Sequence, residues 1–336
     1  MIVKNINLVI KFKKKKILIT GGLGFIGSNL AHQLVNAEAE VTILDNNDPK
    51  SGSNIFNIKS IESDIELIKK DITNYGDTLV TLKNKDIVFN CAASTSHALS
   101  MKEPWLNLKT NNLGVLNLLE GLRELNSEAS LVHVGTTTQI GALHYNPADE
   151  FHPEFPRDIY SANKVVGEKY VLLYSRAYGL RGCVVRLPNV YGPRAAIHSP
   201  DFTFNNFFIG LALLNKDINV YKPGNQLRNC IYIEDAVNAL LLASQTHKSN
   251  GESFIAAGDF HYSVLEIAEK TVSEIGGKVS LIDWPKNFKS IEVGDAVFTN
   301  KKIKSLLGWE PSVSLIDGLK KTKEYYSKYL ENYLHE

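Results

Sequence analysis

The sequence predicts an α/β protein, a doubly wound parallel sheet with a smaller α/β domain after it. Three observations carry this. Short β-type runs recur between segments of helical period, as a sheet wound by helices requires. The runs are almost continuously apolar, the pattern of strands buried on both faces. A glycine-rich turn follows the first run directly and leads into a helix. The 336 residues, 44% hydrophobic and 22% charged, suffice for one large or two medium domains with a substantial core.

In chain order, residues 1–12 (MIVKNINLVIKF) are apolar but broken by Lys4, Asn5, Asn7 and Lys11. Their charge follows the apolar stretch and no small-residue cleavage site comes after it. They read as a frayed extension or an extra edge strand rather than a signal peptide. Residues 1–16 are therefore set apart as a basic extension. Strands are expected at 17–20, 41–44, 87–90, 131–134 and 183–187, with a third strand ending before Lys70. Helical period shows in Leu113, Leu116, Leu119 and Leu122, and again in Ala162, Val166, Leu173 and Ala177. The first domain then spans 17–190. Beyond it Pro193, Pro200 and Pro223 loosen the rhythm, and an aromatic helix over 202–214 opens a second domain, 191–336. The chain is expected to cross back to the first domain around 226–258. Residues 320–333, rich in Lys, Glu and Tyr, read as a solvated terminal helix.

Charge and cysteine narrow the function class. The formal charge of +1 conceals six lysines in the first 16 residues; the rest has 31 basic against 36 acidic residues, a net −5. A negative body argues against nucleic acid as a partner. No run approaches the ~18 apolar residues of a membrane span. Cys91, Cys183 and Cys230 are odd in number and far apart, with neither a disulfide pattern nor metal-ligand spacing. The expectation is a cytoplasmic protein without a metal.

The turn is Thr20-Gly21-Gly22-Leu23-Gly24-Phe25-Ile26-Gly27. Gly21 permits the tight turn, Gly24 lets the backbone approach a pyrophosphate, and Gly27 lets helix and strand pack closely. The helix amino terminus beyond it favours an anion. Asp45 ends the second strand, 18 residues after Gly27, where a carboxylate accepts ribose hydroxyls and repels a 2′-phosphate. The cofactor expected is NAD. Asp71, after the third strand, either meets the adenine or caps a helix. Cys91-Ala92-Ala93 ends the fourth strand with small side chains, suited to a passing cofactor or to tight packing.

Tyr160 and Lys164 stand at i and i+4, one above the other on a helix face. A phenol of pKa about 10 needs roughly 3 units of lowering to act as a base near neutrality, about 4 kcal/mol, and a nearby ammonium favours the phenolate. Thr136 to Thr138, past the fifth strand, offer a hydroxyl between substrate and Tyr160.

These stretches resemble the extended short-chain dehydrogenase/reductases, the nucleotide-sugar epimerase and dehydratase group. The resemblance rests on TGGLGFIG (20–27), LDNN (44–47), KDIT (70–73), NNLGVLNLLEG (111–121), YSANK (160–164), RLPNVYGPR (186–194), GNQLRNCIYIEDAVNAL (224–240) and LGWEPSVSLIDGL (307–319). It covers the chain from Lys16 to about Tyr326 and implies a Rossmann-type first domain and a nucleotide-sugar-binding second one. It places the catalytic triad on Thr136, Tyr160 and Lys164. It extends the cofactor contacts to Phe25, Ile26, Asn46, Ile72, Ala92, Asn111 and Pro188, with Lys164 also on the nicotinamide ribose. Asn189 and Arg228 match positions on the substrate diphosphate, where a guanidinium makes paired hydrogen bonds. Tyr221 is a base-stacking or a core-packing residue.

The resemblance also implies the first step, in which Tyr160 takes a proton from a sugar hydroxyl while hydride passes to NAD. Dehydratases of the group carry Asp-Glu after the catalytic Thr, where this chain has Thr137-Thr138, and decarboxylating relatives keep Glu at the second of these positions. That leaves 4-epimerisation, with a net C4 dehydrogenase or 4-ketoreductase as the alternative. A 4,6-dehydratase or a non-catalytic dinucleotide-binding module is less favoured. Two departures bear on the site: Ile140 replaces the usual tyrosine, and Glu292 an arginine often found before the late Gly-Asp, with Lys289 as a compensating cation. His97 is expected near the nicotinamide, touching substrate or packing a loop. The helices near 104–126 and 158–178 match those through which relatives form homodimers.

Overall fold

The computed structural model describes residues 11–285 and 292–334. The first half alternates strands and helices: β1 (Lys16–Thr20), α1 (Phe25–Asn36), β2 (Glu40–Asp45), β3 (Ile65–Lys69), α2 (Tyr75–Leu82), β4 (Ile87–Asn90), α3 (His97–Lys102), α4 (Pro104–Leu108), α5 (Gly114–Leu125), β5 (Ser130–Thr136), α6 (Ile159–Tyr178) and β6 (Arg181–Leu187). The second half follows with β7 (Asn189–Tyr191), α7 (Phe204–Leu213), β8 (Asp217–Tyr221), β9 (Leu227–Tyr232), α8 (Ile233–Ala243), β10 (Ser253–Ile255), β11 (His261–Ser263), α9 (Val264–Glu274), β12 (Lys278–Ile282), α10 (Lys301–Leu307) and α11 (Leu315–Tyr329).

The main sheet has seven strands in the order β10-β6-β5-β4-β1-β2-β3, every pair parallel. Its central strands are buried on both faces, which is why they read as unbroken apolar runs. β1 lies between β2 and β4, so the winding reverses there, and ligands of such sheets sit at the carboxyl ends beside that reversal. The edge strand β10 comes from the second half of the chain. The remaining strands form a three-stranded sheet, β11-β9-β7, and a β12-β8 pair.

Three sequence readings meet a different arrangement. Residues 1–10 of the extension lie outside the described residues, but Phe12 is fully buried in the main core and β1 starts at Lys16. The packed body therefore begins before the boundary drawn at residue 16. The terminal helix α11 is not solvated all round: Leu315, Leu319, Thr322 and Tyr326 are buried, and Tyr326 Oη donates to the Ala195 carbonyl at 2.8 Å. Of the residues whose helical period marked α6, Leu173 (54%) and Ala177 are exposed and Ala162 and Val166 only partly buried, while the buried positions carry Tyr160, Asn163, Lys164 and Glu168 beside Val171.

Candidate active site

Strand register prepares a polar row beneath the site. Thr20 on β1 pairs with Asn90 on β4, and Asn90 with His133 on β5. Their side chains join across the strands: Thr20 Oγ1 donates to Asn90 Oδ1 at 2.7 Å, and Asn90 Nδ2 lies 2.9 Å from His133 Nδ1. Lys164 from α6 ends the row, its Nζ 3.3 Å from His133 Nε2 and donating to the Val134 carbonyl at 2.5 Å. Burial lowers Lys164 to about 8 and holds His133 well below the ordinary histidine value.

Above this row the strand ends open into a cavity of 1320 Å³. Every predicted contact except Asn111 lines it, from the glycine loop and Asp45, Asn46, Asp71, Ile72 and Ala92 through Thr136, Tyr160, Lys164 and Pro188 to Asn189, Tyr221 and Arg228. Asn111 is buried behind the wall. Its side chain accepts from Ser94 N at 3.1 Å and donates to Ser94 O at 3.0 Å, so it props the loop that lines the cavity instead of lining it.

The glycine turn has the geometry its sequence requires. Gly21 has φ +67°, and a Cβ there would stand 2.7 Å from the Ala92 backbone. A Cβ at Gly27 would stand 2.3 Å from the Gly21 carbonyl oxygen. Asp45 Oδ2 accepts from Leu23 N at 3.0 Å and its Oδ1 from Asn47 N at 2.8 Å, so the carboxylate also fastens the loop. Burial pushes its pKa up against the pull of these amides. Asp71 accepts from Thr73 N at 2.8 Å and Asn46 Nδ2 at 3.0 Å, while the cap of α2 is Asn74. The capping alternative for Asp71 therefore falls away.

Tyr160 is buried, and burial pushes its phenol up to about 12; the Thr136 hydroxyl opposes the rise and the Asp158 charge adds to it. The expected help from Lys164 is redirected, because its ammonium is engaged with Val134 and His133 on β5. Asp158 caps α6, accepting from Ser161 N at 2.7 Å. His97, first residue of α3, places Nδ1 2.7 Å from Asp158 Oδ2, and its ring stands edge-on to Tyr160 with centroids 5.0 Å apart. His97 thus packs against α6 and also lines the cavity wall. Sequence reasoning missed Asp158, Asn90 and His133; Asp158, three residues before Ser161, carries a capping signal that was open to view.

At the far end Arg228 is already engaged. Its Nη2 lies 2.6 Å from Glu292 Oε1, and its Nη1 donates to the Gly294 carbonyl at 2.6 Å. The unexpected acid at 292 therefore neutralises the guanidinium expected to meet a diphosphate; Lys289 lies outside the described residues. Asn189 Nδ2 donates to the Asn229 carbonyl at 3.1 Å. Tyr221 stacks on Trp284, centroids 4.6 Å apart and planes tilted by 31°, forming an aromatic wall the sequence reading did not pair. Ile140 is fully buried in a small core cluster with Phe298, which accounts for an apolar residue there.

Residues 18–322 match the family model described as GDP-mannose 4,6 dehydratase. The chain is 32% identical over 327 residues to UDP-glucuronic acid decarboxylase 1 of Xenopus tropicalis, covering 95% of this chain and 74% of that one. It is 28% identical over 314 residues to UDP-glucose 4-epimerase of Mycolicibacterium smegmatis, covering 92% and 97%. The solved structure of UDP-glucose 4-epimerase from Thermotoga maritima with UDP-glucose superposes with TM-score 0.85 at 28% identity, covering 94% of this chain and 99% of that one.

Proposed function

Because the chain belongs to the GDP-mannose 4,6-dehydratase family, we propose that it is an NAD-dependent enzyme that inverts C4 of a nucleotide sugar. The observation that carries the reading is the set of groups around Tyr160. Where a dehydratase carries two carboxylates the chain presents Thr137 and Thr138, and Asp158, the acid whose charge acts on Tyr160, has its oxygens engaged by Ser161 and His97. Among the described residues, no carboxylate beside the phenol is left free to strip a carbon-bound proton, so the oxidised sugar is left to be reduced again.

The chain's own residues fit a dinucleotide. The Gly21–Gly27 turn leaves room that a Cβ would fill, Asp45 stands at the end of β2 for a ribose, and Ala92 and Pro188 offer small or flat surfaces. NAD, when bound, supplies reversible hydride acceptance. Tyr160 takes and returns the proton of the sugar hydroxyl, Thr136 orients it, and Lys164 holds a positive charge beneath the site. Asn189, Arg228 and the Tyr221–Trp284 wall receive the nucleotide diphosphate. That end accepts a diphosphate by exchanging Arg228's bond to Glu292 for bonds to phosphate.

The same reading includes a homodimer. Trp105 is 74% exposed and Leu173 54%, with Leu108, Leu125 and Tyr178 also exposed, so α4, α5 and α6 carry an apolar face for a second copy. The described residues include no helix long and apolar enough to cross a membrane. Free, largely buried cysteines accord with a cytoplasmic setting.

The test is incubation with UDP-, GDP-, CDP- and dTDP-sugars, with products read by nuclear magnetic resonance. A C4-inverted sugar without accumulated reduced cofactor supports the proposal. Stoichiometric reduction with a 4-keto product would replace it with a dehydrogenase.

A further inference from the structure

His97 is a half-exposed side chain held more firmly than its position at the surface requires. Its backbone opens α3, where Ser96 Oγ accepts from Leu99 N at 3.0 Å and Ser100 Oγ donates to the His97 carbonyl at 2.7 Å. Its ring is fixed from α6. Nδ1 lies 2.7 Å from Asp158 Oδ2, and the ring meets Tyr160 at 81° with centroids 5.0 Å apart. Asp158 is fixed in turn, its Oδ1 accepting from Ser161 N at 2.7 Å and its Oδ2 from Ser161 Oγ at 3.1 Å.

These bonds decide which ring nitrogen carries the hydrogen. Burial alone would raise the Asp158 carboxyl, but the bond and charge of His97 and the bonds from Ser161 outweigh it and leave it lowered. An ionised carboxylate only accepts, so the hydrogen between the two groups sits on His97 Nδ1. In the neutral ring Nε2 is then a bare acceptor, and no group among the described residues bonds it. The same ring lines the cavity beside Tyr160. A donor brought in by a ligand can therefore meet Nε2 without displacing any bond of the protein.

We propose that His97 is a specificity residue that accepts a hydrogen bond from the sugar hydroxyl next to the one Tyr160 deprotonates, which rests on the reading of Tyr160 as the base. The two rings share one wall, so they meet oxygens on neighbouring carbons of a single sugar ring. With Tyr160 at C4, that neighbour is C3, because C5 of a hexopyranose carries the ring oxygen and C6 instead of a hydroxyl. The substrate is thus a sugar with a free 3-hydroxyl, and a 3-deoxy or 3-O-substituted sugar is a poor one. Asp158 is a positioning residue: it holds the tautomer that leaves Nε2 open.

The test is a cycle of two changes, one in the protein and one in the sugar, with UDP-glucose, UDP-3-deoxyglucose and added NAD. His97→Leu keeps an apolar body against Tyr160 and removes the acceptor, and His97→Gln returns one. In the original protein, loss of the 3-hydroxyl is expected to lower kcat/KM about tenfold, the weight of one hydrogen bond. In His97→Leu the two sugars are expected to be equal within about twofold, while His97→Gln again prefers the hydroxyl. A mere tether between α3 and α6 would leave the tenfold preference in His97→Leu, and that result would overturn the proposal. A second measurement needs no turnover: nitrogen-15 resonance of the NAD-loaded Tyr160→Phe protein at about pH 9, above the ordinary histidine value of about 6.5. It is expected to show the Nδ1–H tautomer at His97, with an Nε2 signal that UDP-glucose shifts and UDP-3-deoxyglucose does not. An Nε2–H tautomer, or an Nε2 signal that UDP-glucose leaves in place, would also overturn it. UDP-glucose that shifts Nε2 but is never inverted by the original protein would count against the C4 reading and leave the contact standing.

Discussion

Burial holds the Tyr160 phenol near 12 in the protein alone, so its use as a base near neutrality depends on what enters the cavity beside it. Replacing Tyr160 with Phe is expected to abolish turnover while leaving NAD affinity within about twofold, by calorimetry. Lys164 makes a separate prediction about stability. Its folded value of about 8 lies below the ordinary 10.5, so between those values the unfolded chain holds a proton that the folded one has released. Stability should therefore rise with pH across that window, and below it the buried charge costs roughly 3 kcal/mol. Urea unfolding should show the rise in the original protein and its loss in Lys164→Met, which would also be inactive. At the far end, Glu292→Gln frees Arg228 and is expected to lower KM for the nucleotide sugar roughly tenfold with kcat little changed, about 1.4 kcal/mol of binding. An unchanged KM would mean that Arg228 does not meet the diphosphate.

Helix α6 gathers most of the chemistry, and it is the element whose packing was least legible. Ala162, Val166, Leu173 and Ala177 follow the helical period, yet none of them is fully buried; beside Val171 the buried positions are mostly polar and bring Tyr160, Ser161 and Lys164 to the strand ends. One turn further on, Glu168 anchors the helix to β6: Arg186 Nη2 lies 2.5 Å from Glu168 Oε1 and 2.8 Å from Glu154 Oε1, with Arg186 and Glu168 almost fully buried. Removing one member of such a pair leaves an unpaired buried charge, so Glu168→Ala should cost about 3–5 kcal/mol in urea unfolding. Burial alone would raise Glu168, but the bond and charge of Arg186 outweigh it and lower it. Its stabilisation is thus present above the unfolded glutamate value and lost as pH falls through the folded one. The outward apolar face of α6 belongs to the dimer reading. Leu173→Glu should turn a dimer into a monomer in light scattering, and a monomeric original protein would contradict it.

At the scale of the molecule, the sheet was legible because buried parallel strands write themselves as apolar runs; β4 was placed at 87–90 and lies there. The glycine turn was legible because its geometry tolerates few residues, at Gly21 and Gly27 above all. What escaped was what only register and tertiary contact create. Thr20, Asn90 and His133 are 70 and 43 residues apart in sequence yet share one row of the sheet. Trp284 meets Tyr221 only because β12 pairs with β8. Arg228 was read as a ligand for phosphate, and the structure adds the acid that competes for it.

Inversion at C4 by removal and return of the same hydride makes one demand that the neighbouring reactions of this family do not share. A nucleotide sugar carrying deuterium at C4 should give a C4-inverted product with the deuterium still on C4, read by nuclear magnetic resonance. Deuterium found at C6 of a dehydrated sugar, or a product whose C4 configuration is unchanged, would contradict the assignment.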